Sequence, residues 1–456
     1  MSRTLRRALA ALSILAVVAT GCSNSSDDDA SDDTETDGSD TPAASGEEER
    51  DTFVELSGVP GVTDDEISYA AIGTQEVNPL GTCILDCYTK GINAYFAYRN
   101  SEGGIFGRDL VLGQTLDDGL GNNQAVSLEV ISAEDQFGVF QAPLLATGFA
   151  DLDDAGVPTY NWGIHATEAA NRIHIFPSTI IQCADCTGRG VPYLAEQAGK
   201  SKVAALGYGD TDNSKACTDG IRRSVELYGE DTGTEAVYFN DEQTFTGFKG
   251  TARTVVTAMK QAGVEFVATC MDLNGMKTLA EELHRQDMDD VVLSHPNTYN
   301  QQFVADAGDL FEGDYVSVQY RPYEADAEGT ALEDYLHWME ETGSELSELA
   351  MMGWINASLA FDGLLAAGPE FDRDKVTAAT NSLTDWTAGG LLEPVDWATA
   401  HTPFTDDTRP DDAGDECAAV VKVVDGAFEV VAEPDKPWLC FPPGTDWAEP
   451  EPTTFG

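Results

Sequence analysis

The hydrophobic positions of this chain follow two periods, which replace each other along most of its length. Short runs of consecutive apolar residues, such as 202–208, have the composition of buried strands. Between such runs lie segments like 251–262, where apolar side chains recur at the i, i+3, i+4, i+7 spacing of an amphipathic helix. Strands that alternate with helices in this way predict parallel sheets covered by helices on both faces.

The alternation occurs in two blocks, which predict two successive α/β sheets. The first block predicts strands at 67–73, 110–115, 137–141 and 157–162, and helices at 83–99 and 123–133. The second block predicts strands at 202–208, 236–239, 264–270 and 291–294, and helices at 214–227, 251–262 and 276–283. A polar break near 180–190 separates the two blocks, and each block is long enough for one domain.

Residues 1–21 are predicted to be an export signal and not part of the fold. Arg3, Arg6 and Arg7 precede an apolar run at 8–21, which is too short to cross a bilayer and has the layout of a secretory signal peptide. The run ends in Val-Ala-Thr-Gly before Cys22, which resembles the lipobox of bacterial lipoproteins. That resemblance implies a lipid on Cys22 and a position on the outer face of the cytoplasmic membrane. The alternative is an ordinary signal peptide with an incidental cysteine.

The next segment, 22–60, is predicted to be a tether between the anchor and the folded body. From 23 to 51 it consists of Ser, Asp, Thr, Glu, Gly and Ala with almost nothing apolar. Such a composition cannot bury enough surface to offset the entropy of ordering, so we expect disorder here. Its acidic charge would keep the tether extended.

Charge excludes two classes of partner. The 456 residues include 80 acidic and only 25 basic side chains, for a formal net charge of −55. Binding to nucleic acid, or to anionic lipid through a basic patch, requires clustered Lys and Arg. We therefore expect neither of them as a partner.

Cysteine usage agrees with export. Besides Cys22 there are eight cysteines, an even number that favours disulfides in a secreted chain. Cys417 and Cys440 are close in sequence and far from other thiols, which makes them the best-supported pair, and Cys217 with Cys270 is a second candidate. The alternative for the remaining four is a structural zinc site, since their spacings suit thiolate ligands. These four are Cys83, Cys87, Cys183 and Cys186.

Several motifs of the body resemble the branched-chain amino-acid-binding proteins, the type I solute-binding proteins of ABC importers. They begin with Gly73-Thr74 and with Gly91 followed by Ala94-Tyr95, and continue with the Asn-Ser-Glu-Gly-Gly-Ile-Phe-Gly-Arg run at 100–108 and Asp117-Asp118 with Ala125. Further matches lie at 155–158, 353–368 and 421–428. The resemblance extends from about Gly61 to about Val431, nearly the whole body.

The resemblance implies a two-lobed type I periplasmic-binding-protein fold. Each lobe would be a parallel sheet flanked by helices, and the chain would cross between lobes three times. Lobe one would comprise 61–184 and 316–395, and lobe two 185–315 and 396–450. Such proteins bind a small molecule between the lobes and present it to the permease and ATPase subunits of an importer, so we expect a monomer without catalytic residues, cofactor or metal.

The ligand site is expected where the carboxyl ends of the parallel strands meet loops and helix N-termini. Relatives that bind amino acids usually hold the ligand carboxylate with a Ser/Thr-rich run after the third strand, whereas this chain has Ala-Pro-Leu-Leu-Ala-Thr at 142–147. Aromatic and acidic residues replace that run and suit a ligand that carries an ammonium or similar group. The candidate ligand-binding residues are Thr74, Glu76, Leu144, Thr147, Trp162, His165, Tyr208, Asp212, Asp272 and Asn274.

A purely structural role stays open for some of these residues. Asp212 and Asp272 stand just before predicted helices, where they would serve as N-caps. The sequence does not separate an importer subunit from a ligand-sensing lipoprotein that works with a receptor. A lipid-anchored hydrolase is remote, because the chain contains neither G-x-S-x-G nor H-E-x-x-H.

Overall fold

The computed structural model describes residues 50–183, 185–244, 248, 252–296, 298–410 and 416–456, all within the unit Ala44–Gly456. The predicted signal peptide, Cys22 and most of the predicted tether lie outside these residues. In the order of the chain, the first sheet is built from β1 (Glu66–Gly73), α1 (Leu85–Ser101), β2 (Asp109–Asp117), α2 (Asn123–Ala133), β3 (Gly138–Ala142), α3 (Phe149–Asp154), β4 (Thr159–Asn161), α4 (Ala166–Ala169) and β5 (Ile175–Pro177).

The five strands of the first sheet are all parallel, in the order β2-β1-β3-β4-β5. β1 and β3 are almost entirely buried because helices cover both faces, which explains their continuous apolar sequences. The strand order reverses on either side of β1, and the crevice at such a switch point is where open α/β sheets bind ligands. We call this sheet and the helices packed on it lobe one.

The chain then forms a second sheet, which with its helices is lobe two. Its first elements are α5 (Gly190–Gln197), β6 (Lys202–Tyr208), α6 (Asp212–Thr232), β7 (Glu235–Gln243), α7 (Ala252–Ala262), β8 (Phe266–Cys270), α8 (Leu273–Arg285), β9 (Val292–His295), α9 (Gln301–Ala307), a 3-10 turn (Gly308–Phe311) and β10 (Tyr315–Val318). This part of the sheet, β6 to β10, is parallel throughout, as in lobe one.

After β10 the chain returns to lobe one as α10 (Ala331–Glu341), α11 (Glu348–Ala367) and α12 (Arg373–Thr380). Helices α1 and α11 pack closely through two glycines: a Cβ on Gly91 would lie 1.7 Å from the carbonyl oxygen of Ala350, and one on Gly353 would lie 2.1 Å from that of Tyr88. Within the described residues, α11 is the one helix long and apolar enough to cross a membrane. Nearly all of it is buried, as expected of a core helix.

The final segment completes lobe two. A 3-10 turn (Asp406–Thr408) precedes β11 (Glu416–Val424), β12 (Ala427–Val430), β13 (Trp438–Phe441) and β14 (Glu451–Thr453). These strands add antiparallel to β10, and the full order is β14-β13-β11-β10-β9-β8-β6-β7, with β12 paired to β11. The sheet therefore has nine strands, of which the parallel ones carry the loops that face lobe one.

Three segments differ from the boundaries expected from the sequence. Residues 50–60 are not a free tether, since the carbonyl oxygen of Val54 accepts a hydrogen bond from Arg108 Nη2 at 2.8 Å and Arg108 also lies 4.6 Å from the Phe53 ring. Residues 316–318, which we assigned to lobe one, belong to β10. Trp397 and His401, which we assigned to lobe two, pack on Phe176 of lobe one at 5.5 and 5.4 Å between ring centroids. The buried ring of Phe176 offers these side chains an apolar surface that the sequence pattern does not reveal.

Candidate functional site

Hydrogen bonds at two places join lobe one to the helix starts of lobe two. Asn274 Nδ2, at the start of α8, donates to the carbonyl oxygen of Pro79 at 3.0 Å. Thr167 Oγ1, in α4, donates to Asn213 Oδ1 at 3.1 Å. We call the facing surfaces between these two contacts the cleft. The cleft is lined by the loops that follow the carboxyl ends of the parallel strands, as the topology requires.

Thr74 ties together the lobe-one wall of the cleft. Its side chain is fully buried, donates to Asp118 Oδ1 at 2.8 Å and accepts from the Leu144 amide at 3.0 Å. Burial raises the pKa of the Asp118 carboxyl, while the hydrogen bonds from Thr74 and from the Leu120 amide oppose that rise. This network fixes the loop after β3 to the end of β1. It also uses the backbone N–H of Leu144, which is then not available to a ligand.

Trp162 follows β4 on the same wall. Its amide donates to the carbonyl oxygen of Gln141 at 2.9 Å, and the residue is only 3% exposed. The indole Nε1 is buried and meets no hydrogen-bond acceptor among the described residues. A buried donor without a partner is unfavourable, by about 1 to 3 kcal/mol. The indole nitrogens of Trp354, Trp397 and Trp438 are likewise buried without a partner among those residues, but Trp162 directly follows a strand of the first sheet, so its N–H is the candidate contact for a ligand oxygen.

His165, three positions further on, has a structural contact. Its Nε2 is 2.8 Å from the carbonyl oxygen of Pro143, which can only accept, so Nε2 carries the proton. Burial lowers the pKa of the His165 imidazole, and the ring is therefore neutral near pH 7. The ring also packs edge-on against Phe149, at 5.7 Å between centroids. His165 thus holds the loop after β3 in place.

On the lobe-two wall, Tyr208 and Asp272 form a buried pair. The Tyr208 hydroxyl donates to Asp272 Oδ2, and Asp272 Oδ1 accepts from the amides of Asn274 at 2.8 Å and Gly275 at 3.1 Å. Burial raises the pKa of the Asp272 carboxyl, and these hydrogen bonds oppose that rise. A Cβ on Gly275 would lie 2.4 Å from the Tyr208 hydroxyl, so glycine is required here for the tyrosine to reach the helix start.

A cluster of tyrosines extends the lobe-two wall toward the crossing segments, beyond the residues that the sequence indicated. Tyr299 donates from its hydroxyl to the Glu324 carboxylate and accepts from the Tyr323 amide at 2.8 Å. Tyr320 and Tyr323 share a hydrogen bond of 3.1 Å between their hydroxyls. Burial raises the pKa of Glu324 and of the tyrosines. The signal that could have indicated this cluster is the grouping of tyrosines close to β10, two of which come soon after the strand ends.

The crossing segments between the lobes are tied to one another. Thr179 Oγ1, after β5, donates to Gln319 Oε1, after β10, at 2.9 Å. Asp406 accepts from the Thr187 amide at 3.0 Å and from Arg223 Nη1 at 2.9 Å, which joins the first crossing to the third. The lobes are therefore connected by three adjacent crossing segments, which is the geometry of a hinge.

A family profile described as periplasmic binding protein matches residues 84–427. The chain belongs to the periplasmic binding protein family. The match begins after β1 and the loop that follows it and ends at the start of β12, so it covers most of both sheets and all three crossings. No protein among the curated sequences matches this chain.

Solved structures of ABC transporter substrate-binding proteins share the fold of this periplasmic binding protein. The fatty acid ABC transporter substrate-binding protein from Thermomonospora curvata has a TM-score of 0.63 at 18% identity, covering 82% of this chain and 94% of that chain. A solute-binding protein from R. palustris in complex with benzoate has a TM-score of 0.63 at 14% identity, covering 82% and 97%. A branched-chain amino acid transporter substrate-binding protein from Streptococcus pneumoniae in complex with isoleucine has a TM-score of 0.60 at 15% identity, covering 80% and 98%. The predicted type I fold, α/β with parallel sheets flanked by helices, is confirmed.

The candidate ligand residues of this periplasmic binding protein fall into two groups. Six are buried around the cleft and four are exposed. The buried ones are Thr74, Leu144, Trp162, His165, Tyr208 and Asp272. The exposed ones are Glu76, Thr147, Asp212 and Asn274. Trp162 is only 3% exposed, so its side chain does not stand free in an open cleft.

The two aspartates before helices differ in their roles. Asp272 is the N-cap of α8, as one of our two interpretations predicted. At α6 the N-cap is Thr211, whose hydroxyl accepts from the Ser214 amide at 3.3 Å, and Asp212 is the first residue of the helix. The Asp212 carboxylate instead lies 3.9 Å from Lys215 Nζ in solvent.

All eight cysteines of the body form disulfides in this periplasmic binding protein. The pairs Cys417–Cys440 and Cys217–Cys270 are confirmed, and the first joins residues directly opposite each other on β11 and β13. The other four cysteines pair locally, Cys83 with Cys87 and Cys183 with Cys186. The zinc alternative is therefore wrong, since a sulfur in a disulfide is not a thiolate ligand.

Proposed function

We propose that this periplasmic binding protein captures a small amide or amine compound in its cleft and delivers it to the permease and ATPase of an ABC importer. We further propose that it works on the outer face of the cytoplasmic membrane, held there by a lipid on Cys22. The arginines, apolar run and lipobox-like end of residues 1–22 support the anchor. The substrate-binding proteins of ABC transporters with the same fold support the importer role.

The observation that carries the ligand class is the unpartnered indole nitrogen of Trp162. This buried N–H would donate to a carbonyl or other oxygen of the ligand, and the indole face would cover its apolar part. On the lobe-two wall, the oxygens of the buried Asp272 carboxyl accept from Tyr208 and from two amides and have further lone pairs that could accept from an N–H or ammonium group. The ligand would therefore carry an oxygen acceptor at one end and a nitrogen donor at the other. An amide, or an amine with a nearby oxygen, has both groups.

Charge argues against a simple carboxylate as ligand. The loops 73–76, 141–147, 162–165, 208–212, 271–274 and 295–299 contain no Lys or Arg. A benzoate-like anion would therefore meet no cationic partner from these loops, although the R. palustris protein of the same fold is in complex with benzoate. Burying an unpaired carboxylate costs several kcal/mol.

An α-amino acid bound through the contacts usual among relatives is also disfavoured. The Leu144 amide, in the loop that would hold the ligand carboxylate, already donates to Thr74 Oγ1. Pro143 in the same loop has no backbone N–H, and the Thr147 amide donates to the Leu145 carbonyl oxygen at 2.9 Å. The loop therefore has few free backbone groups to offer an α-carboxylate.

A thermal-shift screen with amides, amines, amino acids and aromatic acids tests this proposal, followed by titration calorimetry of each hit. We expect an amide or amine to raise the melting temperature, since a ligand at a hundredfold excess over Kd stabilises by about 2.7 kcal/mol. Trp162→Phe keeps an aromatic face and removes the N–H. This variant should bind the hit roughly three- to tenfold more weakly, the effect of about one hydrogen bond. Stabilisation by aromatic acids alone would contradict the proposed ligand class.

A further inference from the structure

Lobe two contains a cavity that is separate from the cleft. Its volume is about 270 Å³, and it lies between helices α5 and α6 on one side and strands β10, β11 and β13 on the other. Its apolar walls come from Val191, Leu194, Ile221, Val420, Leu439 and Phe441. We call it the lobe-two cavity. The candidate ligand residues of the cleft are not among those that line it.

Small residues leave this space unfilled. Ser317 lies in β10, a strand with hydrogen-bonded neighbours on both sides, yet its side chain is exposed. Its partner across the ladder is Val420, so both side chains stand on the same face of the sheet and line the cavity. A Cβ on Gly190 would meet no atom within 4 Å. Strand β10 on one side of the cavity and helix α5 on the other therefore both lack a large side chain at the positions that face it.

Two polar side chains that line the lobe-two cavity, Glu416 and Ser224, already have partners. Glu416 accepts from the Arg189 amide at 2.6 Å and from Arg189 Nε at 3.1 Å. Ser224 donates to the Gly220 carbonyl oxygen at 2.6 Å and accepts from the Gly188 amide at 2.9 Å. Ordered water in a cavity needs two to four polar partners, and this lining offers few. The cavity is accordingly suited to an apolar occupant.

Charge and size define that occupant further. Among the described residues no Lys or Arg lines the cavity, and the nearby Arg189 guanidinium is held by Glu416 and by the carbonyl oxygens of Pro442 and Asp446. An anion would thus face Glu416 without a cation of its own. A cavity of about 150 Å³ can hold benzene, so 270 Å³ suits a molecule of about ten non-hydrogen atoms.

We infer that the lobe-two cavity is a second binding site, which takes neutral apolar molecules of about this size independently of the cleft. Two disulfides hold its wall, because Cys186 and Cys217 both line it. A preformed wall lowers the entropy lost on binding. The inference does not depend on the function proposed for the cleft.

Indole is a suitable probe, and the test compares four forms of the full chain by calorimetry and thermal melting. They are the wild type, Ser317→Leu, Ser132→Leu and Trp162→Phe. Ser317→Leu fills the cavity from β10, Ser132→Leu adds the same side chain on the exposed face of α2, and Trp162→Phe changes the cleft. We expect indole to bind the wild type, Ser132→Leu and Trp162→Phe alike, and Ser317→Leu at least tenfold more weakly. Ser317→Leu should also melt at a higher temperature than the wild type without indole, because it fills the cavity.

Two outcomes would overturn the inference. One is that indole does not bind the wild type. The other is that Ser317→Leu keeps the affinity of the wild type, or that only Trp162→Phe loses it, which would place indole in the cleft. Should Ser317→Leu fail to fold, Ala418→Val narrows the same cavity with a smaller addition and takes its place in the comparison.

Discussion

Asn274 of lobe two donates a hydrogen bond from Nδ2 to the carbonyl oxygen of Pro79 of lobe one, at 3.0 Å. The contact lies at one end of the cleft, and Gly81 lies against the same asparagine, where a Cβ would be 2.5 Å from Oδ1. Gly81 has a φ of +78°, which a residue with a Cβ adopts only with strain. The loop after β1 is thus shaped to let the lobes meet at Asn274.

Asn274→Ala should weaken ligand binding by roughly three- to tenfold, because one hydrogen bond that stabilises the closed state is lost. The melting temperature without ligand should change little, since the Asn274 side chain is exposed and its amide would still donate to Asp272. Thr278→Ala, on the same helix, is the matched control, because the Thr278 hydroxyl bonds only within α8. Calorimetry with the hit from the ligand screen measures the difference. Equal affinities of the two variants would mean that this contact does not support closure.

The sequence predicted elements best where one local pattern decides them. β6 has the predicted bounds of 202–208, because a continuous apolar run lies between polar residues and a glycine. Strands β13 and β14 were not predicted. They are short, and they depend on antiparallel pairing, of β13 with β11 and of β14 with β13, which local periodicity does not reveal.

The site was predictable in position and less so in detail. The strand ends that line the cleft follow from parallel topology, and Asp272 as an N-cap follows from its place before a helix. The burial of Trp162 was not predicted, because it depends on tertiary packing that local patterns do not show. The bond from the Leu144 amide to Thr74 was not predicted either, because the two residues lie 70 positions apart in the chain.

The disulfides should stabilise the fold in the order of the loops they close. Removing Cys217–Cys270, with a separation of 53 residues, should cost about 4 kcal/mol, and removing Cys417–Cys440, with 23, about 3 kcal/mol. Cys83–Cys87, with a separation of 4, should cost about 2 kcal/mol and serves as the control. Urea unfolding of the three double Cys→Ala variants measures these differences. A larger loss for the Cys83–Cys87 variant than for the other two would contradict the loop-entropy explanation.

Asp314 should make the stability of lobe two depend on pH. Burial raises the pKa of its carboxyl to about 6, although His295 lies 3.9 Å away and the Leu293 amide donates to it at 2.8 Å. Because the folded pKa exceeds the unfolded one, the protonated form stabilises the fold below about pH 4. That contribution, at most about 3 kcal/mol, is lost as the pH rises through 6.

Asp314→Asn tests this dependence, since the amide oxygen can still accept from Leu293 and does not titrate. We expect the variant to gain stability relative to the wild type between pH 4 and pH 7, as measured by urea unfolding at each pH. A constant difference between the two proteins across that range would show that Asp314 keeps the same charge in both states.

Cys22→Ala should abolish lipid attachment and leave the signal peptide unprocessed by the lipoprotein peptidase. The reason is that the thiol of Cys22 is the acceptor for the diacylglyceryl group in the lipobox interpretation. Metabolic labelling with a fatty-acid analogue, followed by mass measurement of the protein, detects both effects. Ser23→Ala, one position further, is the control and should be labelled normally. Label that persists on Cys22→Ala would contradict the anchor.

Gly91→Ala should destabilise lobe one by roughly 1 to 3 kcal/mol or more. The added methyl would lie 1.7 Å from the Ala350 carbonyl oxygen, so α1 and α11 would have to move apart along their buried contact. That movement would also disturb the edge-on packing of Tyr95 on Trp354, now at 5.0 Å between centroids. Helix propensity alone would favour alanine by up to about 1 kcal/mol, so a net loss of stability reports the packing.

Gly121→Ala is the matched control for this variant, because a Cβ on Gly121 meets no atom within 4 Å and its backbone needs no positive φ. We expect its free energy of unfolding to stay within about 0.5 kcal/mol of the wild type, as for most surface substitutions. Urea unfolding of both variants decides the question. If Gly91→Ala were as stable as Gly121→Ala, the two helices would not be in the close contact that the fold of lobe one requires.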